Sequence, residues 1–401
     1  MRGFTTTRNR FPAVNGVSAT PESAVLHVAL EPTSGVWSVM RDLSRAQVES
    51  GRYQAVAMGV IASAAWPAKY AEEFEELRLP HFRSPTLNAF GTAKFLWQRI
   101  QPPPIGVWAD DLARASGASS VVVHIHNAWL SGVFLPLRTN GQGRTIPVVT
   151  FHGVCITLEG QPVRRWLHRY MAQRLVRYGA RLTSVDAGSL PAAHSLFGLS
   201  PDRFRIIPNG VKPEESLHAA EWKGQGEFRV GYVGLLAEHK GWRILAEAVL
   251  AARAAGRNVR LLIAGAGLQE PMARAAAQAH PEAMEFLGYV SEPRRNLMPR
   301  LHALALPSAY EGLPMILIEA ASVGLPVVAT AVGGVREIVE EGVTGKVVER
   351  SAGSVAKALE TLYDSPDMMS QMGRAARAVH AARFEIGRVV GLYHQVYTGQ
   401  A

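Results

Sequence analysis

Short apolar runs bounded by turn residues alternate with longer stretches whose apolar residues recur every three or four positions. This alternation predicts strands buried on both faces with amphipathic helices laid over them, the pattern of a parallel α/β architecture. Residues 24–30 form the first clear strand. It feeds a turn carrying Gly35 and then a helical pattern with Met40, Leu43 and Val48, an opening βα unit. Residues 54–58 predict a second strand. Between 60 and 115 the pattern is weaker, and Trp97, Pro102-Pro103-Pro104 and Trp108 predict helices joined by a rigid turn. Strands at 120–127 and 147–153 both end in polar groups, which at the carboxyl edge of a parallel sheet line a ligand crevice. Residues 163–178 form a helix with Leu167, Met171, Leu175 and Tyr178 on one face. Arg164, Arg165, Arg169, Arg174 and Arg177 surround it. Strands at 181–185 and 204–211 follow, and the polar, Gly-bearing stretch 212–226 reads as a hinge.

The second half restarts the alternation. A strand covers 228–234, Lys240-Gly241-Trp242 opens a helix that runs to about Gly256, and strands cover 259–264 and 285–290. Gly265-Ala266-Gly267 invites a nicotinamide-binding reading, but the third glycine of that motif would fall on Glu270 and no later acid is placed for a ribose. A short buried strand over 301–306 stops at Pro307-Ser308. Pro314 suits the first position of a helix, because the amide it lacks would have no partner there. The amides from Met315 on are then free donors at the positive end of the helix dipole, a natural seat for phosphate. Val323-Gly324 ends that helix, and 325–330 is the next strand. Glu311 lies in the loop before the helix and Glu319 more than a turn inside it. One can face a ligand's outer group while the other faces its middle. A last helical pattern of basic and apolar residues runs from Arg374 to Tyr397.

Composition narrows the class. The 401 residues are 48% hydrophobic and 19% charged, which describes a globular chain long enough for about two or three domains. The single Cys155 excludes an internal disulfide framework and fits a reducing compartment. No apolar run reaches the roughly 18 residues of a membrane span. The start is basic without an apolar core, so residues 1–22 read as a flexible tail and not as a secretory signal. The net charge of +9 has a location. Residues 1–206 hold 22 Lys/Arg and 13 Asp/Glu (22 − 13 = +9), and residues 207–401 hold 20 of each. From counts alone a solubilising surface is the plainest reading, and nucleic acid, an anionic membrane and a pyrophosphate-bearing acceptor explain a basic half as well as one another. No nucleic-acid-reading motif accompanies the charge, so nucleic acid is not an expected partner.

Glu311 and Glu319 stand in an E-x7-E spacing inside Pro307-Ser308-Ala309-Tyr310-Glu311-Gly312-Leu313-Pro314. Gly324-Leu325-Pro326-Val327-Val328-Ala329-Thr330 and Gly333-Gly334-Val335 follow. This set resembles the donor-site signature of the family 4 retaining glycosyltransferases with the GT-B fold. Ile207-Pro208-Asn209-Gly210-Val211 resembles the family's run before the interdomain linker, and His152-Gly153 its Thr-x-His position.

The resemblance implies an α/β, GT-B architecture: two Rossmann-like domains with parallel sheets facing a cleft. The acceptor-side domain spans 23–210, with a C-terminal helix at 384–401 packing back on it, and the nucleotide-sugar-binding domain spans 211–383. The implied reaction moves a hexosyl group, with retention, from a nucleoside diphosphate sugar to a hydroxyl of a glycan or lipid-linked acceptor. A UDP-sugar is favoured and a GDP-sugar comes next, and the setting is exopolysaccharide or cell-surface glycan synthesis. Lys240, Glu311 and His152 are the implied catalytic residues. Lys240 and the amides near Met315 take the departing diphosphate, Glu311 orients the sugar hydroxyls, and Glu319 holds the ribose. Gly35, Gly234, Gly312, Leu313 and Pro314 line the donor, and Tyr289-Val290 meet the base. His126, Asn127 and His152 stand on the acceptor side, whereas His124, inside an apolar run, reads as structural. With no D-x-D pair, neither a metal nor any cofactor beyond the donor is expected. Leu235 departs from the family's Gly-Arg-Leu, so either another cation supplies the missing charge, with Arg336 or an arginine of the first half as candidates, or donor binding is weak. The alternative is a GT-B nucleotide-sugar-binding protein with little turnover. The expected location is cytoplasmic, with peripheral contact to an anionic inner membrane.

Overall fold

The apolar runs of the first half assemble into a seven-stranded sheet and those of the second half into a six-stranded one. A computed structural model gives this architecture and describes residues 22–30, 34–62, 79–85, 104–126, 135, 137, 144–153 and 162–400. Residues 1–21 of the expected tail, Trp97, Asn127 and Cys155 lie outside the described residues. The chain divides into two units. The first comprises residues 1–185, 189–210 and 386–401, and the second 186–188 and 211–385.

In the first unit the strands are β1 (Ser23–Leu30), β2 (Val56–Ala62), β3 (His81–Pro85), β4 (Ser120–Ile125), β5 (Arg144–Phe151), β6 (Arg181–Ser184) and β7 (Phe204–Ile206). They lie in the order β3-β2-β1-β4-β5-β6-β7, and every described pairing is parallel. Side chains alternate between the faces of a strand, so each apolar run feeds two cores. Ala24, Leu26 and Val28 pack with Val121, Val123 and Ile125 under helix α2 (Ile105–Ser116). Val25 and Val122 face the other way, against Leu43 of α1 (Ser34–Glu49) and Val389, Tyr393 and Tyr397 of the C-terminal helix Ile386–Thr398. Helix α3 (Pro162–Arg177) packs beside α4 (Leu190–Phe197).

In the second unit β8 (Phe228–Val233), β9 (Val259–Ala264), β10 (Met284–Gly288), β11 (Ala303–Leu306), β12 (Val327–Thr330) and β13 (Gly345–Val348) take the order β10-β9-β8-β11-β12-β13. Again all described pairings are parallel. Leu245 and Val249 of α5 (Trp242–Ala254) join Val355 and Leu359 of a later helix, Ala352–Tyr363, over Val230, Tyr232, Leu261 and Ile263. Helix α6 (Glu270–Ala279) precedes β10, and α7 (Met315–Val323) links β11 to β12 with Leu317, Ile318 and Ala320 to Val323 all buried.

Three expected boundaries move. Helix α1 already starts at Ser34, so Gly35 is its second residue and not part of the turn. A Ser ahead of an apolar helical run is itself a start signal, and it outweighs the glycine. Pro314 is the N-cap and not the first helical residue, because its ψ of 116° is still extended. The last helical pattern is not continuous. One helix covers Pro366–Val379, a π-helical turn covers His380–Phe384, and Glu385 is extended before the C-terminal helix. At this junction His380 Nε2 donates to the Val211 carbonyl at 3.1 Å, and Val211 N donates to the Phe384 carbonyl at 2.9 Å. The chain is thus pinned where it leaves the second unit.

Candidate active site

Parallel strands deliver the loops after β8 to β12 to one edge of the second sheet. The first two are laced together: Gly234 N donates to the Ala264 carbonyl at 3.0 Å and Leu236 N to the Ala266 carbonyl at 2.9 Å. One 3-10 turn, Glu238–Lys240, then ends at Gly241 with φ 75°. A Cβ at Gly241 would stand 2.1 Å from the Pro307 carbonyl oxygen, so only glycine lets this loop lie against the one after β11. The close approach aims Lys240 at Glu311, Nζ donating to Oε1 at 2.7 Å. Ser308 Oγ donates to the same oxygen at 2.7 Å, and Thr330 Oγ1 holds the Ser308 carbonyl at 2.5 Å. Glu311 is 8% exposed and Lys240 23%. Oε2 of Glu311 makes no hydrogen bond among the described residues. His239 stacks on Tyr310 with ring centroids 4.6 Å apart, and burial and then the Lys240 charge lower its pKa. Arg350 ties the same loops, donating to the Pro307 carbonyl at 3.2 Å and the Glu238 carbonyl at 2.8 Å.

Helix α7 starts beside Glu311. The Met315 and Ile316 amides precede the helix's own hydrogen bonds, and Leu317 N already uses the Pro314 carbonyl at 3.1 Å. Gly333, at φ 53°, lets the loop after β12 close on this entry, since a Cβ there would fall 2.0 Å from the Glu311 carbonyl oxygen. Gly334 N then donates to the Gly312 carbonyl at 2.8 Å. Glu319 is half-buried on α7, and Tyr289, 60% exposed, follows β10 next to the half-buried Val290. Lys240, Glu311 and a helix N-terminus therefore sit together, with Glu319 further along α7, a set that can bind an anion and the hydroxyls attached to it.

The first unit carries a second polar cluster. His27 and His124 are register partners on β1 and β4, and β5 and β6 pair Thr150 with Thr183. His126 and His152 follow β4 and β5. The period of two places His27, His124 and His126 on the face covered by α1 and the C-terminal helix. There His126 Nδ1 meets His152 Nε2 at 3.0 Å, and His126 Nε2 meets His27 Nδ1 at 2.9 Å. His27 Nε2 meets Gln47 of α1 at 2.7 Å. His124 bonds Tyr397 and Thr150, both at 2.6 Å. Burial lowers the pKa of His27 and of His152 to about 4, and takes His124 and His126 well below the usual imidazole value. Nitrogens of His27, His124 and His126 lie within 4.8 Å of one another. Both nitrogens of each ring are already hydrogen-bonded, so a metal there would have to break this network.

The profile of the family described as "Glycosyl transferases group 1" matches residues 227–365, and that described as "Glycosyltransferase Family 4" matches residues 33–215. The chain belongs to family 4 of the glycosyltransferases and has the GT-B fold. This family 4 glycosyltransferase is 29% identical over 288 residues to a glycogen synthase of Mycobacterium tuberculosis, covering 69% of this chain and 68% of the relative. It is 29% identical over 325 residues to a D-inositol 3-phosphate glycosyltransferase of Gordonia bronchialis, covering 73% and 70%. Among solved structures, that of Anabaena HepE in complex with UDP and glucose superposes with a TM-score of 0.69 at 18% identity, covering 93% of this chain and 99% of that one.

In this glycosyltransferase the second unit gathers Lys240, Glu311, Gly312, Leu313, Pro314 and Met315, with Gly234, Tyr289 and Val290 on other loops of the same sheet edge. The first unit brings His126 and His152 into direct contact. Gly35 is the second residue of α1, and Asn127 lies outside the described residues. Leu235, where the family's arginine was expected, is 52% exposed. Arg336 is exposed on the short helix Val335–Ile338. Arg350 is a cation of the loop cluster that no local sequence pattern marks. His27 and Gln47 join the first unit's cluster without having been expected there, and Ser308, part of the 307–314 run, had been given no role of its own. For His27 a signal existed: it occupies the strand position that pairs with His124.

Proposed function

We propose that the enzyme transfers a hexosyl group, with retention, from a UDP-sugar to a hydroxyl of a glycan or lipid-linked acceptor, in the synthesis of a cell-surface or exported polysaccharide. The observation that carries this reading is the Lys240–Glu311 pair at 2.7 Å beside the start of α7. Departure of the diphosphate builds negative charge. Lys240 and the amides of Met315 and Ile316 meet that charge with fixed donors, so a metal is not needed. Glu311, anchored through Oε1, offers Oε2 to the sugar hydroxyls, and Glu319 takes the ribose. Tyr289 and Val290 face the base, and His152 faces the transferred sugar and the acceptor. The complex of Anabaena HepE with UDP and glucose supports a UDP-linked donor.

A thermal-shift panel of UDP, GDP, ADP and their sugars tests the donor, since a ligand of the native state raises the midpoint. UDP-sugars are expected to raise it most, and a response to GDP-sugars alone would reassign the base. Anomeric configuration of the product by NMR tests retention. Activity should survive EDTA, and a loss restored by Mn²⁺ or Mg²⁺ would overturn the metal-free mechanism.

We also infer peripheral membrane contact through α3. Val163 and Trp166 on this helix are 72% and 65% exposed, and Trp166 stacks on Tyr170. An exposed Trp and Val among arginines suit an anionic bilayer surface. Arg165 and Arg174 also hold the Ser195 and Leu135 carbonyls, so part of the charge is structural. Vesicles containing anionic lipid should bind the protein at low salt and release it at moderate salt. Failure to bind them would point to a soluble acceptor.

A further inference from the structure

A chain of hydrogen bonds runs through the first unit from His152 to Thr183, and its direction follows from Gln47, whose amide nitrogen can only donate and whose amide oxygen can only accept. Beyond it, Thr150 Oγ1 meets His124 Nε2 at 2.6 Å, Thr183 Oγ1 at 2.6 Å and the Tyr393 hydroxyl at 3.3 Å. Burial keeps the four imidazoles neutral at pH 7, and the Tyr393 and Tyr397 hydroxyls protonated. The Tyr397 hydroxyl gives its proton to His124 Nδ1 at 2.6 Å, so His124 carries its own on Nε2, facing Thr150. Tyr397 in turn accepts from Gln47 Nε2 at 3.3 Å, and Gln47 Oε1 accepts from His27 Nε2 at 2.7 Å. His27 Nδ1 accepts from His126 Nε2 at 2.9 Å, and His126 Nδ1 accepts from His152 Nε2 at 3.0 Å. Each bond has one proton. His152 is left with an unprotonated Nδ1 that has no partner among the described residues.

We propose that Gln47, His27 and His126 are positioning residues that hold His152 as its Nε2–H tautomer, so that Nδ1 accepts a hydrogen bond from a hydroxyl of the sugar substrate. This rests on the reading of His152 as a substrate-side residue. The groups facing the rings are Gln47 from α1, Tyr393 and Tyr397 from the C-terminal helix, and Thr150 and Thr183 from the neighbouring strands. Tyr53 and His394 lie beyond them. None is a carboxylate, so among the described residues nothing in this hydrogen-bonded chain favours an imidazolium. Ending the chain in an amide is therefore a specific choice. A carboxylate in place of Gln47 would stabilise a doubly protonated His27, whose Nδ1–H would donate to His126. Every bond on that side would reverse, and His152 would carry its proton on Nδ1.

Long-range ¹H–¹⁵N spectra of the full-length ¹⁵N-labelled protein at pH 7 test this without substrate, with His152→Ala assigning the signal. The wild type should show His152 as the neutral Nε2–H form. Gln47→Glu should switch it to Nδ1–H and lower kcat/KM by about tenfold, the effect of losing one hydrogen bond to a substrate hydroxyl. A wild-type His152 protonated on Nδ1, or a folded Gln47→Glu protein that retains the Nε2–H form, would overturn the proposal. Should Gln47→Glu fail to fold, the wild-type spectrum alone still decides which nitrogen of His152 carries the proton. Full transfer activity in His152→Ala would instead overturn the substrate-side reading, while the spectra still report whether the chain sets the tautomer.

Discussion

Glu311 shows how a single side chain is readied by its neighbours. Lys240 and Ser308 both bond Oε1, so the carboxylate is fixed in orientation before a ligand arrives. Such preorganisation matters because a group that must reorient during the reaction loses part of its effect. Lys240→Ala removes the cation and leaves a nearly buried carboxylate held by Ser308 alone. Turnover should fall at least tenfold, with a smaller rise in the donor's KM, because charge on the diphosphate grows as the bond breaks. A raised KM with unchanged kcat would show that Lys240 binds ground state and transition state alike. Glu319→Ala should weaken UDP binding by about 1.5–3 kcal/mol, the value of hydrogen bonds to a charged acceptor. Unchanged affinity by calorimetry would take Glu319 out of the site.

At the scale of elements, loops are placed by glycines and sheet faces by registry. Gly333→Ala puts a methyl into a backbone carbonyl at a positive φ. It should cost at least about 1–3 kcal/mol of stability and reduce donor binding as the α7 entry shifts. A wild-type melting temperature together with wild-type affinity would refute that account. The histidine-bearing face makes stability depend on acid. Folding lowers the pKa of His27 and His152 from 6.5 to about 4, so in that interval the unfolded chain binds protons that the folded chain does not. Stability is complete above pH 6.5 and falls on acidification, by about 1.4 kcal/mol per pH unit for each fully titrating histidine. Urea midpoints at pH 7 and pH 5 measure this, and equal midpoints would contradict it.

At the scale of the molecule, the last helix belongs to the first unit although it follows the second in sequence. Its Ile386, Val389, Val390, Tyr393, Val396 and Tyr397 are buried. At about 1.5–3 kcal/mol per side chain, their burial is comparable with the whole stability of a domain. Removing residues 386–401 also takes Tyr397 from His124 and Gln47. Hydrogen exchange should then show β1 and β4 unprotected. Native protection of these strands in the truncated chain would mean that the helix is dispensable.

The sequence by itself determined the class of this protein. Apolar runs of strand length between helical periods can be buried only as parallel sheets covered by helices. Glu311-Gly312-Leu313-Pro314 and Glu319 marked a helix entry suited to phosphate because a proline start, a glycine stop and two carboxylates are all local signals. Tertiary structure decided which of these groups touch. Lys240 meets Glu311 across 71 positions of chain, and His124 meets Tyr397 across 273. No local pattern encodes such distances. Lys240 finds Glu311 because glycines at 241 and 333 admit backbone contacts that a Cβ would forbid. The histidine chain forms because strand registry, set by the whole sheet, aligns His27 with His124 and carries His126 to His152. Those contacts follow from packing, and packing is a property of the folded chain as a whole.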